Sequence, residues 1–332
     1  MTARRAFLYG SLAMVTTRLA AEAQQAAPMY RVGFLTLNPT TPGTATVTVD
    51  VFRQGLRELG YSEGKNLTLE YRFAEGRRDL LLSLARELLT LPVDVIVTLG
   101  TPATVAAREA TSSVPIVFVG VGDPIGSGFA ATLAHPGKNL TGLSFVGPEL
   151  AAKNLELLKQ AAPEAIRVAV LIPGDFAEPL VRAVWAELER AARDLHVTLD
   201  RLQVPASVDH LDNALATLRV RRPDGLLTLN APLFFIHRER ILTTAAELRV
   251  PTMFQTAEYV RAGGLLAYVP SVSDQAKRAV SYVVKILNGV KPATLPIEQP
   301  TRFELFINLK AARVLGLTIP HSLLLRADHV IE

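Results

Sequence analysis

The sequence predicts an α/β protein built as two doubly wound parallel-sheet lobes with a hinge and an interlobe cleft. Three observations carry this expectation. Short apolar runs alternate with stretches of helical periodicity along most of the chain, in two successive series. Several of the runs, such as Val93 to Leu99 and Val114 to Val119, are rich in β-branched residues, the mark of strands covered on both faces. Finally, 332 residues exceed what one core usually serves, and 49% hydrophobic against 20% charged residues supplies material for two.

The elements follow in order. Arg31 to Leu37 reads as a strand that ends at Asn38-Pro39. Val47, Val51, Phe52, Leu56 and Leu59 then recur at helical spacing until Gly60. Leu67 to Phe73 alternates apolar and polar, as a strand does, and Leu80, Leu81, Leu84, Ala85 and Leu88 form a second helical stripe. The two β-branched runs follow, with a short helix from Thr101 to Ala110 between them.

The second series opens with a helix from Glu149 to Ala161, closed by Pro163, and a buried strand from Val168 to Ile172. Leu180, Val184, Leu188 and Ala192 make one helical face; Ser207 can cap a helix carrying Leu211, Leu215 and Leu218. Gly225 to Leu229 and Pro251 to Phe254 read as strands flanking a helix from Phe234 to Leu248. Gly264 to Val269 is a further strand. Ser271 or Ser273 then caps a long helix through Ala276, Val280, Val283 and Leu287, which ends at Asn288-Gly289.

Residues 1–23 read as a cleaved export signal, which implies a periplasmic location. Arg4-Arg5-Ala6-Phe7-Leu8 is similar to a twin-arginine signal, the stretch from Ala6 to Thr17 is mildly apolar, and Ala21-Glu22-Ala23 is a small-x-small cleavage site. The apolar stretch is too short to span about 30 Å of hydrocarbon. A frayed N-terminal helix of a cytosolic protein and an ordinary secretion signal are the alternative readings. The chain has no cysteine, which excludes disulfides, thiolate metal ligands and cysteine nucleophiles. The formal charge is +4, but residues 1–23 hold three arginines and one glutamate, so the remainder carries +2. The basic residues are also dispersed, which speaks against a nucleic-acid partner.

Motifs for catalysis and cofactors are missing from the sequence. Gly120-Val121-Gly122-Asp123-Pro124-Ile125-Gly126-Ser127-Gly128 is glycine-rich but lacks the lysine of a phosphate loop. There is no nucleophile elbow and no HExxH, and none of the six histidines has another at i+3 or i+4. The expectation is no enzyme activity, no cofactor and no metal. What the chain does have is strand ends that run into helix starts. In Thr98-Leu99-Gly100-Thr101-Pro102-Ala103, Gly100 allows a tight turn, Thr101 suits the N-cap and Pro102 the first helical position. Such an end attracts a carboxylate, or is simply an ordinary strand-helix turn. Asp123 follows the next strand and either meets a ligand cation or caps a turn, and Asn230 follows a strand of the second series.

Several blocks, in this order, resemble a known family. They are Gly100-Thr101-Pro102-Ala103, Val114 to Phe118 leading to Asp123-Pro124, Pro136 to Gly142, Gly263-Gly264-Leu265, Tyr282 to Gly289, Pro292 to Pro296, and Phe303 to Pro320 with Asn308-Leu309-Lys310-Ala311-Ala312. From about Val32 to the C-terminus the chain is similar to the ABC transporter substrate-binding proteins whose better-understood members are linked to aromatic amino acid uptake. The resemblance implies a type I periplasmic-binding fold with three crossovers, a small-molecule ligand in the cleft, a membrane permease as partner, a monomeric state and no catalysis. It implies one lobe of residues 30–146 plus 271–299 and another of 147–270 plus 300–332. The chain departs from the family pattern at Tyr268-Val269-Pro270 and at Pro173-Gly174-Asp175-Phe176-Ala177.

Capture by lobe closure is therefore the expected mechanism. The expected ligand contacts are Gly100, Thr101 and the Ala103 amide for an anionic group, Asp123 for an ammonium, and Asn38, Asn230, Glu258, Tyr259 and Tyr268 as polar or stacking contacts. Tyr268 equally suits packing between lobes, and Glu258-Tyr259 a solvated helix start. A secreted ligand sensor, the effector domain of a lactose-repressor-like regulator, and a secreted α/β enzyme are the competing functions.

Overall fold

The computed structural model describes residues 28–38, 44–145, 147–174, 179–205 and 207–332. The segment read as an export signal lies outside these, as do Asp175, Phe176 and Ala177.

The first lobe comprises β1 (Tyr30–Thr36), α1 (Thr44–Glu58), β2 (Leu67–Phe73), α2 (Leu81–Leu89), β3 (Val95–Leu99), α3 (Gly100–Ala110), β4 (Ile116–Val121) and β5 (Leu140–Ser144). Its strands form an all-parallel sheet in the order β2-β1-β3-β4-β5. Both faces are covered. Val32, Phe34, Val95 and Val97 pack with Phe52 of α1, while Leu35, Ile96, Ile116 and Phe118 pack with Leu88 of α2 and Ala106 of α3. That two-sided burial is why the central strands read as continuous apolar runs.

The second lobe contains α4 (Pro148–Ala161), β6 (Arg167–Pro173), α5 (Pro179–Asp194), β7 (Thr198–Val204), α6 (Val208–Arg221), β8 (Gly225–Thr228), α7 (Pro232–Ile236), α8 (Arg238–Leu248), β9 (Thr252–Phe254), α9 (Ala257–Arg261) and β10 (Leu266–Pro270). After α10 (Val272–Leu287) the chain returns to it with β11 (Phe303–Asn308), α11 (Leu309–Leu315), α12 (His321–Leu324) and β12 (His329–Ile331). The sheet order is β12-β11-β10-β9-β8-β6-β7. One face carries Val168, Val170, Leu227 and Met253 against α4 and α5; the other carries Ala169, Leu171, Leu226 and Phe254 against α6 and α8.

The expectation of purely parallel sheets needs one correction. β10 and β11 are antiparallel, with Pro270 opposite Phe303 and Leu266 opposite Ile307. The reason is the route of the chain. It comes back beside the carboxyl end of β10, where the Ser271 amide donates to the Arg302 carbonyl at 2.9 Å, and an antiparallel strand is the short way in. The single helix expected from Phe234 to Leu248 is two helices meeting at His237, and the Arg238 guanidinium donates to the Phe235 carbonyl where the first one ends (3.1 Å). Two expected caps are present. The Ser207 hydroxyl accepts from the His210 amide at 3.3 Å, and Ser271 from Asp274 at 3.4 Å.

Helix α10 packs on α1 and on β3, β4 and β5, not on the strand that precedes it. Its buried stripe of Ala276, Ala279, Val280, Val283, Ile286 and Leu287 has the i, i+3, i+4, i+7 spacing of one helical face. Each large apolar side chain so buried contributes about 1.5–3 kcal/mol. Polar contacts tie the same helix to the segment leading back to β11. Arg278 pairs with Asp274 at 2.9 Å and with Glu298 at 3.0 Å, and the Tyr282 hydroxyl donates to the Pro296 carbonyl. The Ser144 amide donates to the Glu298 carbonyl at 2.8 Å, so the passages after β5 and after α10 lie side by side.

Four tyrosines, Tyr71, Tyr259, Tyr268 and Tyr282, hold their hydroxyls above the ordinary tyrosine range, in each case chiefly because burial disfavours the phenolate. The raised folded values mean that their contribution to stability is complete below about pH 10 and is lost as pH rises through them. Urea unfolding at pH 8 and pH 11 is expected to show a lower midpoint at pH 11. An unchanged midpoint contradicts this assignment.

Candidate ligand cleft

In a parallel α/β sheet the loops at the carboxyl ends of the strands carry the groups free to meet a ligand. Here the carboxyl ends of the two sheets face each other. The loop after β2 and the helix after β8 meet: a Cβ placed on Gly76 would lie 3.2 Å from Cδ1 of Ile236. The chain also leaves the sheets toward the other lobe at carboxyl ends, after Phe145 beyond β5 and at Ser271 beyond β10.

On the first lobe the most built feature is the turn from β3 into α3. Gly100 has φ +78°, the left-handed region that glycine occupies without strain. The Thr104 hydroxyl donates to the Gly100 carbonyl at 2.9 Å and sits 2.8 Å from the Thr98 hydroxyl, so two buried threonines brace the turn from below. This corrects the expected cap. Thr101 is not the N-cap; the left-handed Gly100 carries the chain straight from strand to helix, and Leu99 takes that position without a side-chain cap. The consequence for the amides follows from helix geometry. Ala103 supplies the first intrahelical amide, and Pro102 has none, which leaves Gly100 and Thr101 as the orphan donors. The Ala103 side chain is fully buried in the lobe's core. The expected Ala103 contact is therefore replaced by the amides of Gly100 and Thr101, with the half-buried Thr101 side chain beside them.

Asp123 stands beyond the neighbouring strand β4, whose Val119 pairs with Leu99 of β3. Adjacent strands lie about 4.8 Å apart, which brings the two loops together. One carboxylate oxygen accepts from the Gly126 amide at 2.8 Å, and the Asp123 carbonyl accepts from Ser127 at 3.0 Å. The carboxylate is thus built into its own turn as an Asx cap. Arg108 and Lys138 donate to carbonyls of the same loop, at Ser127 (2.8 Å) and Gly128 (3.3 Å). Asn38 follows β1 half-buried, with its amide on the Thr36 hydroxyl at 3.2 Å.

On the second lobe Asn230 is exposed at the end of β8, and its amide donates to Gln255 Oε1 at 2.9 Å. Gln255 escaped sequence reading. It is 93% buried beyond β9, and the only signal for it was a polar residue immediately after a short apolar run. Thr256 beside it has a buried hydroxyl without a hydrogen-bond partner. Glu258 is half-buried in the first turn of α9.

The two tyrosines lie elsewhere. Tyr259 is 4% exposed and stacks on Phe254 at 4.2 Å between ring centroids, with Phe235 edge-on at 6.5 Å. It belongs to the lobe's core, because Tyr259 and Val260 lie on the inward face of α9. Tyr268 lies in mid-strand rather than at a strand end. It shares a face with Leu266, packs in the cluster that covers α4, and stacks on Phe303 at 5.3 Å. Strand alternation, not the cleft, decides its direction. The structure therefore brings together Gly100, Thr101, Asp123 and Asn38 on one side and Asn230, Gln255 and Glu258 on the other, and leaves the Ala103 and Tyr259 side chains in the cores and Tyr268 half-buried against one of them.

Two hollows lie outside this arrangement. One of about 560 Å³ runs between α6 and α8, and its lining Arg240 and Arg219 pair with Asp212 (2.6 Å) and Glu247 (2.8 Å). The other, about 280 Å³, sits where the chain enters α10 and β11. Among the described residues no three His, Asp or Glu side chains are grouped to hold a metal ion, and no helix is long and apolar enough to cross a membrane.

A model of the family of ABC transporter substrate binding proteins matches residues 42–331. A conserved domain protein from Vibrio cholerae O1 biovar El Tor superposes with a TM-score of 0.81 at 26% identity, over 91% of this chain and 99% of that one. A Streptococcus pneumoniae ABC domain in complex with L-Trp superposes equally well, at 24% identity over 91% of this chain and all of that one (TM-score 0.81). A tyrosine-binding protein of Clostridioides difficile (strain R20291) is 22% identical over 272 residues, 80% of this chain and 75% of that protein.

Proposed function

The chain belongs to the ABC transporter substrate-binding protein family, and from that premise we propose that its ligand is an amino acid or a close relative, held between the lobes and delivered to a membrane permease. The observation that carries the reading is the pairing of orphan amides and a carboxylate on neighbouring loops of one lobe. The amides of Gly100 and Thr101 stand at a helix start, where the helix dipole favours an anion. Asp123 stands beside them with one oxygen engaged in its turn and the other not so engaged. The first pair suits a carboxylate and the second an ammonium, the two poles of a free amino acid. Asn38, Asn230, Gln255 and Glu258, at or just beyond the strand ends, are assigned to the remainder of the ligand. The side chain is proposed to be aromatic, as in the tyrosine-binding and L-Trp-bound relatives.

Binding proceeds by closure. The ligand enters between the strand ends, backbone amides and polar side chains replace its lost hydration, and rotation about the passages at Phe145 to Gly147, Ser271 and residues 288–302 brings the lobes together. Members of this family bind solutes outside the cytoplasm. We place this one in the periplasm, on Arg4-Arg5 and Ala21-Glu22-Ala23. N-terminal sequencing of protein from its native host is expected to start near Gln24, and an intact Met1 in the cytosolic fraction contradicts that location.

Calorimetric titration with each of the twenty amino acids tests the ligand class. Saturable one-to-one binding of tyrosine or tryptophan supports the reading. Binding of a sugar or polyol, with no amino acid bound, overturns it.

A further inference from the structure

We propose that Ile236 and Gly76 form a latch that holds the two lobes closed, and that it sets the closed population without touching the ligand. Ile236 is 48% exposed at the end of α7, the helix that follows the carboxyl end of β8. It does not project into open solvent. A Cβ on Gly76, in the other lobe, would meet its Cδ1 at 3.2 Å and its Cγ1 at 3.8 Å, so the isoleucine tip rests on the bare backbone of that glycine.

Both halves of the contact are rigidly mounted. Gly76 sits in a tight turn at φ +79°, with its amide on the Leu37 carbonyl at 2.7 Å and the Arg77 amide on the Ala74 carbonyl at 2.7 Å. Leu37 immediately precedes Asn38, so the turn is fixed to the end of β1. Ile236 ends α7, whose Phe235 ring meets the buried Tyr259 edge-on and lies under the Arg238 guanidinium at 5.0 Å. Arg238 also holds the Phe235 carbonyl at 3.1 Å. Helix α7 follows Asn230 at the end of β8. The knob and its seat are thus each one loop away from the strand ends assigned to the ligand.

Such a contact exists only when the lobes are together, so it stabilises the closed form alone. A Cβ on the seat would press on the isoleucine tip at 3.2 Å, so the tip would have to give by a few tenths of an ångström. The proposal rests on the closure reading above, but not on the identity of the ligand.

The chain has no cysteine, so Ile125→Cys and Asp209→Cys introduce the only two labelling sites, one on each lobe's carboxyl-end side. Single-molecule energy transfer between them, without ligand, reads the closed-to-open ratio. Ile236→Ser in this background is expected to lower that ratio about fivefold to tenfold, the worth of one partly buried isoleucine. Ile236→Val, which keeps most of the contact, is expected to lower it by less than threefold. Superimposable distances in all three proteins, or a drop for valine as large as for serine, overturn the latch. Failure of every amino acid to bind in the calorimetric titration bears on the ligand reading and leaves this test standing.

Discussion

Gly142→Ala is expected to lower folding stability by about 4 kcal/mol or more, beyond the usual range for a single substitution. Gly142 lies in β5 opposite Phe118 of β4, at φ +148°. A Cβ there would stand 2.0 Å from the Phe118 carbonyl oxygen and 2.7 Å from its nitrogen, and those are backbone atoms that no rotamer change can move. Relief requires the two strands to separate. The damage also spreads to the hinge, because the Gly142 carbonyl accepts from the Glu298 amide at 3.1 Å and Glu298 pairs with Arg278 of α10. Urea unfolding checks the size of the effect. A loss under about 1 kcal/mol, the cost of unfavourable backbone angles alone, shows that the strands have room the structure denies.

The second large effect falls on affinity. Asp123→Asn is expected to weaken amino acid binding tenfold to more than a hundredfold, as the loss of a charged hydrogen-bond partner costs about 1.5–3 kcal/mol. The substitution separates charge from turn. An asparagine oxygen can still accept from the Gly126 amide, which Asp123 now does at 2.8 Å, so the loop and the melting temperature are expected to change little. Calorimetry and thermal unfolding on the same preparation distinguish the outcomes. A lower melting temperature with unchanged affinity makes Asp123 a turn cap only and removes the ammonium partner from the account.

Much of the fold was legible because burial on two faces writes itself into a strand as an unbroken apolar run. Ile116–Val121 is of this kind, and Val95–Leu99 is interrupted only by the buried Thr98. Serine caps were legible for a local reason: Ser207 and Ser271 need only the amide three residues ahead. Strands β5 and β11 were not. Thr141, Gly142 and Ser144 break the apolar pattern of β5, since that strand ends at the hinge and its glycine answers a carbonyl on its neighbour. The direction of β11 is set by where the returning chain arrives, which no local signal records.

The cleft was legible by strand end and not by side-chain direction. Thr101, Asp123 and Asn230 all follow apolar runs, and the fold leaves all three at carboxyl ends. Tyr259 and Tyr268 look alike in sequence as aromatic residues near a glycine pair. Which way a tyrosine points is decided by helix phase and strand register, and both turned toward a core. Gln255 stayed hidden for the converse reason. Nothing in its neighbours shows that its side chain holds the Asn230 amide across two strand ends.

Mass spectrometry of the small molecules released by denaturing protein purified from its native host tests the central claim most directly. The account predicts one species per chain bearing both an amine and a carboxylate, with an aromatic side chain. A sugar, polyol or other molecule without those two groups, released in the same ratio, contradicts it.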